Sequence, residues 1–305
     1  MAALGLGLAA LGRPGYMTLG HAGDFATTTE ASMEGRTFAV LDAAWAAGFR
    51  HVDTARSYGL AERFLARWLA ARGRRPSDLT ISSKWGYRYT ANWQTTAEVH
   101  EVKDHSLAHL TTQWPESVGL LGNFLRVYQV HSATLESGVL TNDAVLDELA
   151  RVRDTGVAVG VTVTGPHQGE VIDTALLVSR GGRRLFDWVQ ATWNVLEPSA
   201  GPALARAHRL GVRTIAKEGV ANGRLTTRGE LTEWNALAQR HGQTPDALAL
   251  GVALAQPFLD VVLSGAATVE QLESNARARP MALDTSAFTV APEQYWATRA
   301  RLAWT

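Results

Sequence analysis

Four side chains of this sequence could together deliver a proton to a carbonyl oxygen: Asp53, Tyr58, Lys84 and His131. A tyrosine hydroxyl, with a pKa of roughly 10, is a sluggish acid near neutral pH. A lysine ammonium beside it favours the phenolate and makes the phenol a better acid. An aspartate paired with that lysine keeps it charged and aimed. An imidazole can donate a hydrogen bond to a substrate oxygen and orient it. The set suits general acid catalysis at a carbonyl that receives a hydride, and general base catalysis in reverse. Taken singly, each residue has an ordinary reading as a cap, a rim lysine or a core histidine, so the weight lies in the combination.

The runs around these residues say how they are held. Asp53 ends an apolar stretch beginning at Phe49, Lys84 ends one beginning at Leu79, and His131 ends one beginning at Phe124. Each reads as a short buried strand that turns polar where it stops. Further strands are expected at 4–8, 157–163, 187–193, 212–217 and 261–264, the first three spanning 49–53, 79–84 and 124–130. Helical patterns alternate with them near 34–47, 60–72, 115–122, 142–155, 168–180, 199–210, 244–255 and 269–277. That alternation predicts a parallel sheet covered by helices. Eight strands at this length predict a single α/β domain over 1–305, a (β/α)8 TIM barrel whose chemistry lies at the carboxyl ends of the strands. Asn142-Asp143 and Pro198-Ser199 supply helix starts, and Gly48, Gly156 and Gly211 supply helix ends. Residues 229–241 read as a helix within the loop after strand seven, and 292–303 as an extra C-terminal helix. The long segments 11–33 and 85–114 follow strands one and three, so they fall on the catalytic face and are expected to shape the substrate pocket.

Bulk properties exclude several classes. The 305 residues are 46% hydrophobic, enough for a large core. Lys+Arg and Asp+Glu are both 29, so no excess charge draws the chain to nucleic acid or a membrane surface. The absence of cysteine removes disulfides, thiolate catalysis and cysteine-held metals. The apolar run from Met1 to Leu11 lacks a basic leader and is far short of the roughly 20 residues that span a bilayer. It reads as a glycine-rich first strand, and a cytoplasmic location follows by default. His105 and His109 are four apart and could share a metal with His100, but Ser106 stands where the zinc-protease motif needs a glutamate. No metal is expected, and His51 reads as structural.

The sequence resembles the aldo-keto reductases. Phe49 to Ala55 followed by Tyr58-Gly59 and Glu62 is similar to that family's strand-loop-helix with its aspartate and tyrosine. Ser117-Val118 through Leu120-Leu121 and the strand into His131 are similar to its third helix and fourth strand. Val159 to Thr162, Val189 to Asn194, Ala216 to Thr226, and Leu263 to Ala266 with Gln271, Leu272 and Asn275 follow in chain order. The resemblance runs from about residue 4 to residue 279. It implies direct hydride transfer with NADPH or NADH on an aldehyde, ketone or sugar-like polyol. Tyr58 would be the proton donor, Lys84 and Asp53 its support, and His131 the carbonyl-orienting donor. It further implies cofactor contacts from Gly7, Thr162, Gln190, Gly219, Asn222, Gly223, Leu225, Ser264, Gly265, Gln271 and Asn275, with Trp193 stacked on the nicotinamide. Lys217 and Glu218 end strand seven at the rim, where they could pair with other side chains or Lys217 could meet the pyrophosphate.

Three departures matter. The chain is expected to begin directly at strand one, without a hairpin across the barrel floor. Val163 stands where the family carries an asparagine, so one contact to the nicotinamide amide is either lost or passed to Thr164 or Gln190. The segment Ser264 to Gln271 holds no basic residue, which weakens the family's preference for NADP and leaves NAD usable. Arginines at 224, 228, 277 and 279 are near enough in sequence to alter that. The competing reading, motivated by Val163, is a cofactor-sensing or regulatory barrel with vestigial catalysis. A metal-dependent hydrolase would need more histidines or carboxylates at strand ends than Asp53 and His131. Oligomeric state cannot be read from the sequence.

Overall fold

The apolar runs form eight parallel strands that close on themselves. In a computed structural model describing all 305 residues, these are β1 (Ala3–Gly7), β2 (His51–Asp53), β3 (Thr80–Trp85), β4 (Leu125–Ala133), β5 (Ala158–Val163), β6 (Trp188–Thr192), β7 (Arg213–Lys217) and β8 (Val261–Ser264). Each pairs with its neighbour in sequence, and β8 returns to β1 in register from Ala3↔Val261 to Leu6↔Ser264. Closure leaves no free strand edge, and the parallel order requires a crossover after every strand.

Helices supply the crossovers: α1 (Glu30–Ala46), α2 (Ala61–Ala71), α3 (Leu107–Leu121), α4 (Asp143–Asp154), α5 (Gln168–Leu177), α6 (Gly201–Arg209), then α7 (Thr232–Arg240) and α8 (Pro245–Leu254) between β7 and β8. After β8 come α9 (Val269–Ala276) and α10 (Pro292–Ala300). Several helices begin at side chains that accept a bond from an otherwise unpaired N–H: Thr29 from Ser32, Asn142 from Val145, Thr268 from Gln271. Gly48 and Gly156 follow α1 and α4 with φ of 87° and 93°, a left-handed geometry that a side chain resists. The outward faces of the strands and the inward faces of the helices form one cluster of 64 buried residues.

The barrel lumen is divided. One part is apolar, with Ile215, Val261 and Leu263 packed on Trp188. The other is a polar layer of His51, Asp53, Ser82, Gln129 and Gln190, bonded to one another. Most buried polar groups are paired, as the donors of this layer are on Asp53, and the layer forms the floor beneath the candidate site.

Three elements differ from the sequence expectation. Helix α3 begins eight residues before Pro115, where the sequence pattern places its start. Ser106 caps it by accepting from the His109 N–H, and Pro115 sits inside the helix, where it lacks the N–H that would bond the Thr111 carbonyl. Strand β4 runs through His131 to Ala133, with a register shift against β5 between Val130 and Ala133. Helix α5 stops at Leu177, and Ser179–Arg180 pairs with Arg183–Arg184 in a small hairpin where the helix was expected to continue. A second hairpin, Tyr87–Tyr89 with Glu101–Lys103, organises the long segment after β3.

Candidate active site

Asp53, the last residue of β2, is a buried carboxylate with four donors. Lys84 Nζ approaches Oδ2 at 2.5 Å, while Ser82 Oγ, Gln190 Nε2 and Gln129 Nε2 reach Oδ1 at 2.7, 3.0 and 3.3 Å. Lys84, on β3, is 1% exposed. Its three ammonium protons are taken by Asp53, the Thr54 carbonyl at 2.9 Å and the Tyr58 hydroxyl at 3.2 Å. A buried ion pair survives desolvation when its remaining hydrogen bonds are satisfied, as these are. The Tyr58 oxygen therefore accepts from Lys84 and keeps its own proton available to a substrate.

Glycine packing fixes the Tyr58 loop. A Cβ on Gly12 would stand 2.2 Å from the Tyr58 carbonyl oxygen, and one on Gly59 would stand 2.5 Å from the Gly12 carbonyl oxygen. The Leu60 N–H donates to that Gly12 carbonyl at 2.7 Å. The loop after β1 and the loop after β2 thus meet backbone to backbone.

His131 completes the set. Its ring meets the Tyr58 ring edge-on at 5.5 Å between centroids, and its Nδ1 lies 3.4 Å from Ser57 Oγ. The irregularity in β4 aims it: Ser132 adopts φ 55°, and its N–H donates to Thr162 Oγ1 at 2.7 Å. His105 holds the His131 carbonyl at 2.9 Å. Burial, then the charges of Lys84 and Arg13, hold the His131 imidazole well below the usual histidine range, so it is neutral. Burial pushes the Tyr58 phenol well above its ordinary value, Asp53 adds to this, and Arg13 opposes it. Lys84 was expected to bring the phenol down, but Asp53 lies 2.5 Å from its ammonium and offsets its charge.

Asp53, Tyr58 and His131 open into one pocket, with Lys84 behind them, and its walls carry side chains to which the sequence reading gave no individual role: Arg13, Tyr16, Tyr87, Glu101, Arg299 and Trp304. Glu218 and Lys217 line the pocket as well. Arg299, from α10, grips Glu218 with Nε at 2.8 Å and NH2 at 2.5 Å. Burial would raise the Glu218 carboxyl, but Arg299 and then Lys217 outweigh it and bring it to about 2. Lys217 donates to Thr192 Oγ1 at 2.9 Å and has no carboxylate partner; burial is the main cause bringing it to about 8. A lysine and a glutamate ending an apolar strand were the available signal for these two. Arg13, Glu101 and Trp304 come from the loop after β1, the hairpin after β3 and the C-terminal segment after α10, and share no local pattern.

Of the cofactor residues expected from sequence, Gly7, Gln190, Gly219, Asn222, Ser264 and Gly265 line this pocket. Gly223, Gln271 and Asn275 line an adjoining groove that shares Thr18, Val220 and Gly265 with it. Asn275 donates to Ser264 Oγ at 2.8 Å. Asn222 adopts φ 55°, donates to the Met17 carbonyl at 3.2 Å, and leaves its Oδ1 buried without a partner. Three residues lie elsewhere. Trp193 faces outward and packs against Gly201 and, edge-on at 6.2 Å, Phe258, because a residue three positions beyond the inward Gln190 falls on the other face of the strand. Thr162 is buried beneath the Ser132 N–H, and Thr164 reaches the pocket instead. Leu225 belongs to the apolar core. Val163 does too, so its side chain has no bearing on the pocket.

Comparison with known proteins follows the same lines. The aldo/keto reductase family profile matches residues 3–290. The chain belongs to the aldo/keto reductase family. Its fold is similar to that of an aldo-keto reductase from Bacillus halodurans solved in its holo form, with 21% identity and a TM-score of 0.67 over 98% of this chain and 92% of that one. It is also similar to an aldo-keto reductase described from Pseudomonas aeruginosa, at 22% identity and a TM-score of 0.63 over 90% and 88% of the two chains. No curated protein matches the sequence. No helix of this aldo-keto reductase is long and apolar enough to cross a membrane.

Its far groove carries unexpected charge. Arg228 reaches the groove but is paired with Asp24, to which Gln271 Nε2 also donates at 2.9 Å. Asp246 and Glu270 line the same groove.

Proposed function

We propose that this aldo-keto reductase interconverts a carbonyl and an alcohol by direct hydride transfer with NADH or NADPH, using Tyr58 as the proton donor. The observation that carries the reading is the Lys84 ammonium, bonded at once to the Asp53 carboxylate and the Tyr58 hydroxyl at the foot of one pocket. The cofactor supplies and receives the hydride when bound. The groove fits such a ligand: Asn222 offers a buried acceptor without a partner, and Gly7, Gly219 and Gly265 leave the pocket wall free of side chains. Gln190, Thr164 and Asn222 would hold its polar groups, with Asn275, Ser264 and Gln271 around the far end.

The chain's own residues handle the proton. His131, neutral and fixed by its backbone, donates a hydrogen bond to the carbonyl oxygen and draws it toward Tyr58. The Tyr58 proton then passes to that oxygen as negative charge develops, and Lys84 stabilises the phenolate left behind. In the reverse direction the phenolate takes the alcohol proton. The far groove supports NADH as a usable cofactor, because its one arginine already faces Asp24 and two further carboxylates would repel a 2′-phosphate. A panel of aldehydes, ketones and sugars, followed by cofactor absorbance with NADH and NADPH and by separate binding titrations, tests the reading. Tight cofactor binding without turnover on any carbonyl would sink it in favour of a cofactor-sensing role.

A further inference from the structure

Arg13 lies in the loop after β1, is 2% exposed and lines the pocket. Its guanidinium sits over three aromatic faces, 5.2 Å from the Tyr58 ring centroid, 5.3 Å from that of Tyr16 and 4.7 Å from that of Trp304. NH1 donates to the Ser57 carbonyl at 3.2 Å, one residue before the tyrosine, and to Glu101 at 2.7 Å. Glu101 comes from the hairpin after β3 and also lines the pocket. A buried arginine with one carboxylate could be only a strut joining two loops. A strut, however, does not need to face the phenol.

Resting on the reading of Tyr58 as proton donor, we propose that Arg13 and Glu101 form a second charged pair that tunes Tyr58, with Arg13 favouring the phenolate and Glu101 opposing it. A cation over an aromatic face is attracted to the ring in either state, and far more to a phenolate carrying a full negative charge. Lys84 cannot do this alone, since Asp53 lies against its ammonium. The other groups facing the phenol are Asp53 and Lys84 on β2 and β3, His131 on β4, Tyr16 in the first loop and Glu218 after β7. Lys84 stands over the same ring at 4.7 Å but shares its charge with Asp53, whereas Arg13 draws the phenol downward and Glu101 opposes it less strongly. Arg13 is therefore a positioning residue acting through Tyr58.

The signs of two variants separate tuning from bracing. Alcohol oxidation needs the phenolate, so its rate rises with pH as the phenolate fraction grows. Arg13→Met leaves Glu101 acting alone, and the rise moves to higher pH with roughly a tenfold loss of rate at fixed pH, a fraction of what losing the acid costs. Glu101→Gln leaves Arg13 unopposed, and the rise moves to lower pH with a gain in rate. The double variant falls between the two, and Arg13→Lys, which keeps the charge, restores most of the loss. NADPH and NADH affinities stay within about twofold throughout, below the 1.4 kcal/mol that marks a tenfold change. Loss of rate in both single variants, or unmoved pH profiles, overturns the proposal and leaves the pair as a brace. If Arg13→Met fails to fold, Glu101→Gln and Arg13→Lys decide the matter alone. An inactive Tyr58→Phe beside unmoved profiles sinks only the tuning; an active Tyr58→Phe removes the proton-donor reading and the tuning with it.

Discussion

Two ion pairs in this molecule are built in opposite ways. Asp53–Lys84 lies on adjacent strands at the foot of the pocket, with both side chains at most 3% exposed and every ammonium proton used. Asp24–Arg228 joins two loops across the far groove, with a 4% exposed carboxylate facing a 36% exposed guanidinium. The first pair has its geometry dictated by strand register, Asp53 opposite Ser82 and Lys84 two residues further along. The second depends on how two long connections happen to fold. The strand-borne pair is suited to fixed chemistry, and the loop-borne pair to setting which ligand is admitted.

Removing the group served by the strand-borne pair gives the largest effect. Tyr58→Phe keeps the ring without the proton, and turnover drops by about 100- to 10,000-fold, the range for a lost general acid. Steady-state rates on the best carbonyl check this, with cofactor binding as the control, and a variant retaining most of its turnover would remove Tyr58 from the role. Lys84→Met strands Asp53 as a buried charge. It should cost about 3–5 kcal/mol of stability, read from denaturant midpoints, together with most of the activity. A midpoint close to that of the wild type would place this pair in the same weak class as a surface bridge.

The pair Glu218–Arg299 is intermediate, loop against helix yet buried, and its effect should be intermediate too. Glu218 has its folded pKa depressed from 4.5 to about 2, so its contribution is present above about pH 4.5 and is lost as pH falls toward 2. The shift corresponds to roughly 3 kcal/mol. Arg299→Met should remove that increment at neutral pH and converge with the wild type near pH 2. Curves that run parallel to pH 2 would mean the coupling is absent.

The loop-borne pair should give the smallest change. Asp24→Asn frees Arg228 for a 2′-phosphate, and a new charge-assisted bond of about 1.5–3 kcal/mol favours NADPH over NADH by roughly tenfold or more relative to the wild type. Side-by-side titrations decide it, and an unaltered ratio would mean Arg228 never reaches the phosphate.

How much of this was legible in the sequence follows the same division. Strand ends could be read because a buried apolar run that turns polar is a local pattern, and Asp53, Lys84 and His131 each end or nearly end one. The error at Trp193 was one of parity: with Gln190 facing inward, alternation already sends a residue three positions later outward. The segments 11–33 and 85–114 that wall the pocket could be read as long connections on the catalytic face, but not which of their side chains meet there. Arg13, Glu101 and Trp304 meet only because two loops and the C-terminal segment converge, and no spacing in the chain encodes that meeting. Helix α3 was placed late because its first turns, capped by Ser106, fall in the segment 85–114 that read as a long connection.

The nested glycines at 12 and 59 carry a consequence for any mutational survey of this protein. Gly12 contacts no reacting atom, yet a methyl group there would collide with the tyrosine's own backbone. Substitutions at that position would register as active-site hits, and a scan of tolerance along the chain would mark the first loop as though it carried chemistry. The map of sensitive positions and the map of reacting groups need not coincide, and in this barrel they part company at a residue with no side chain at all.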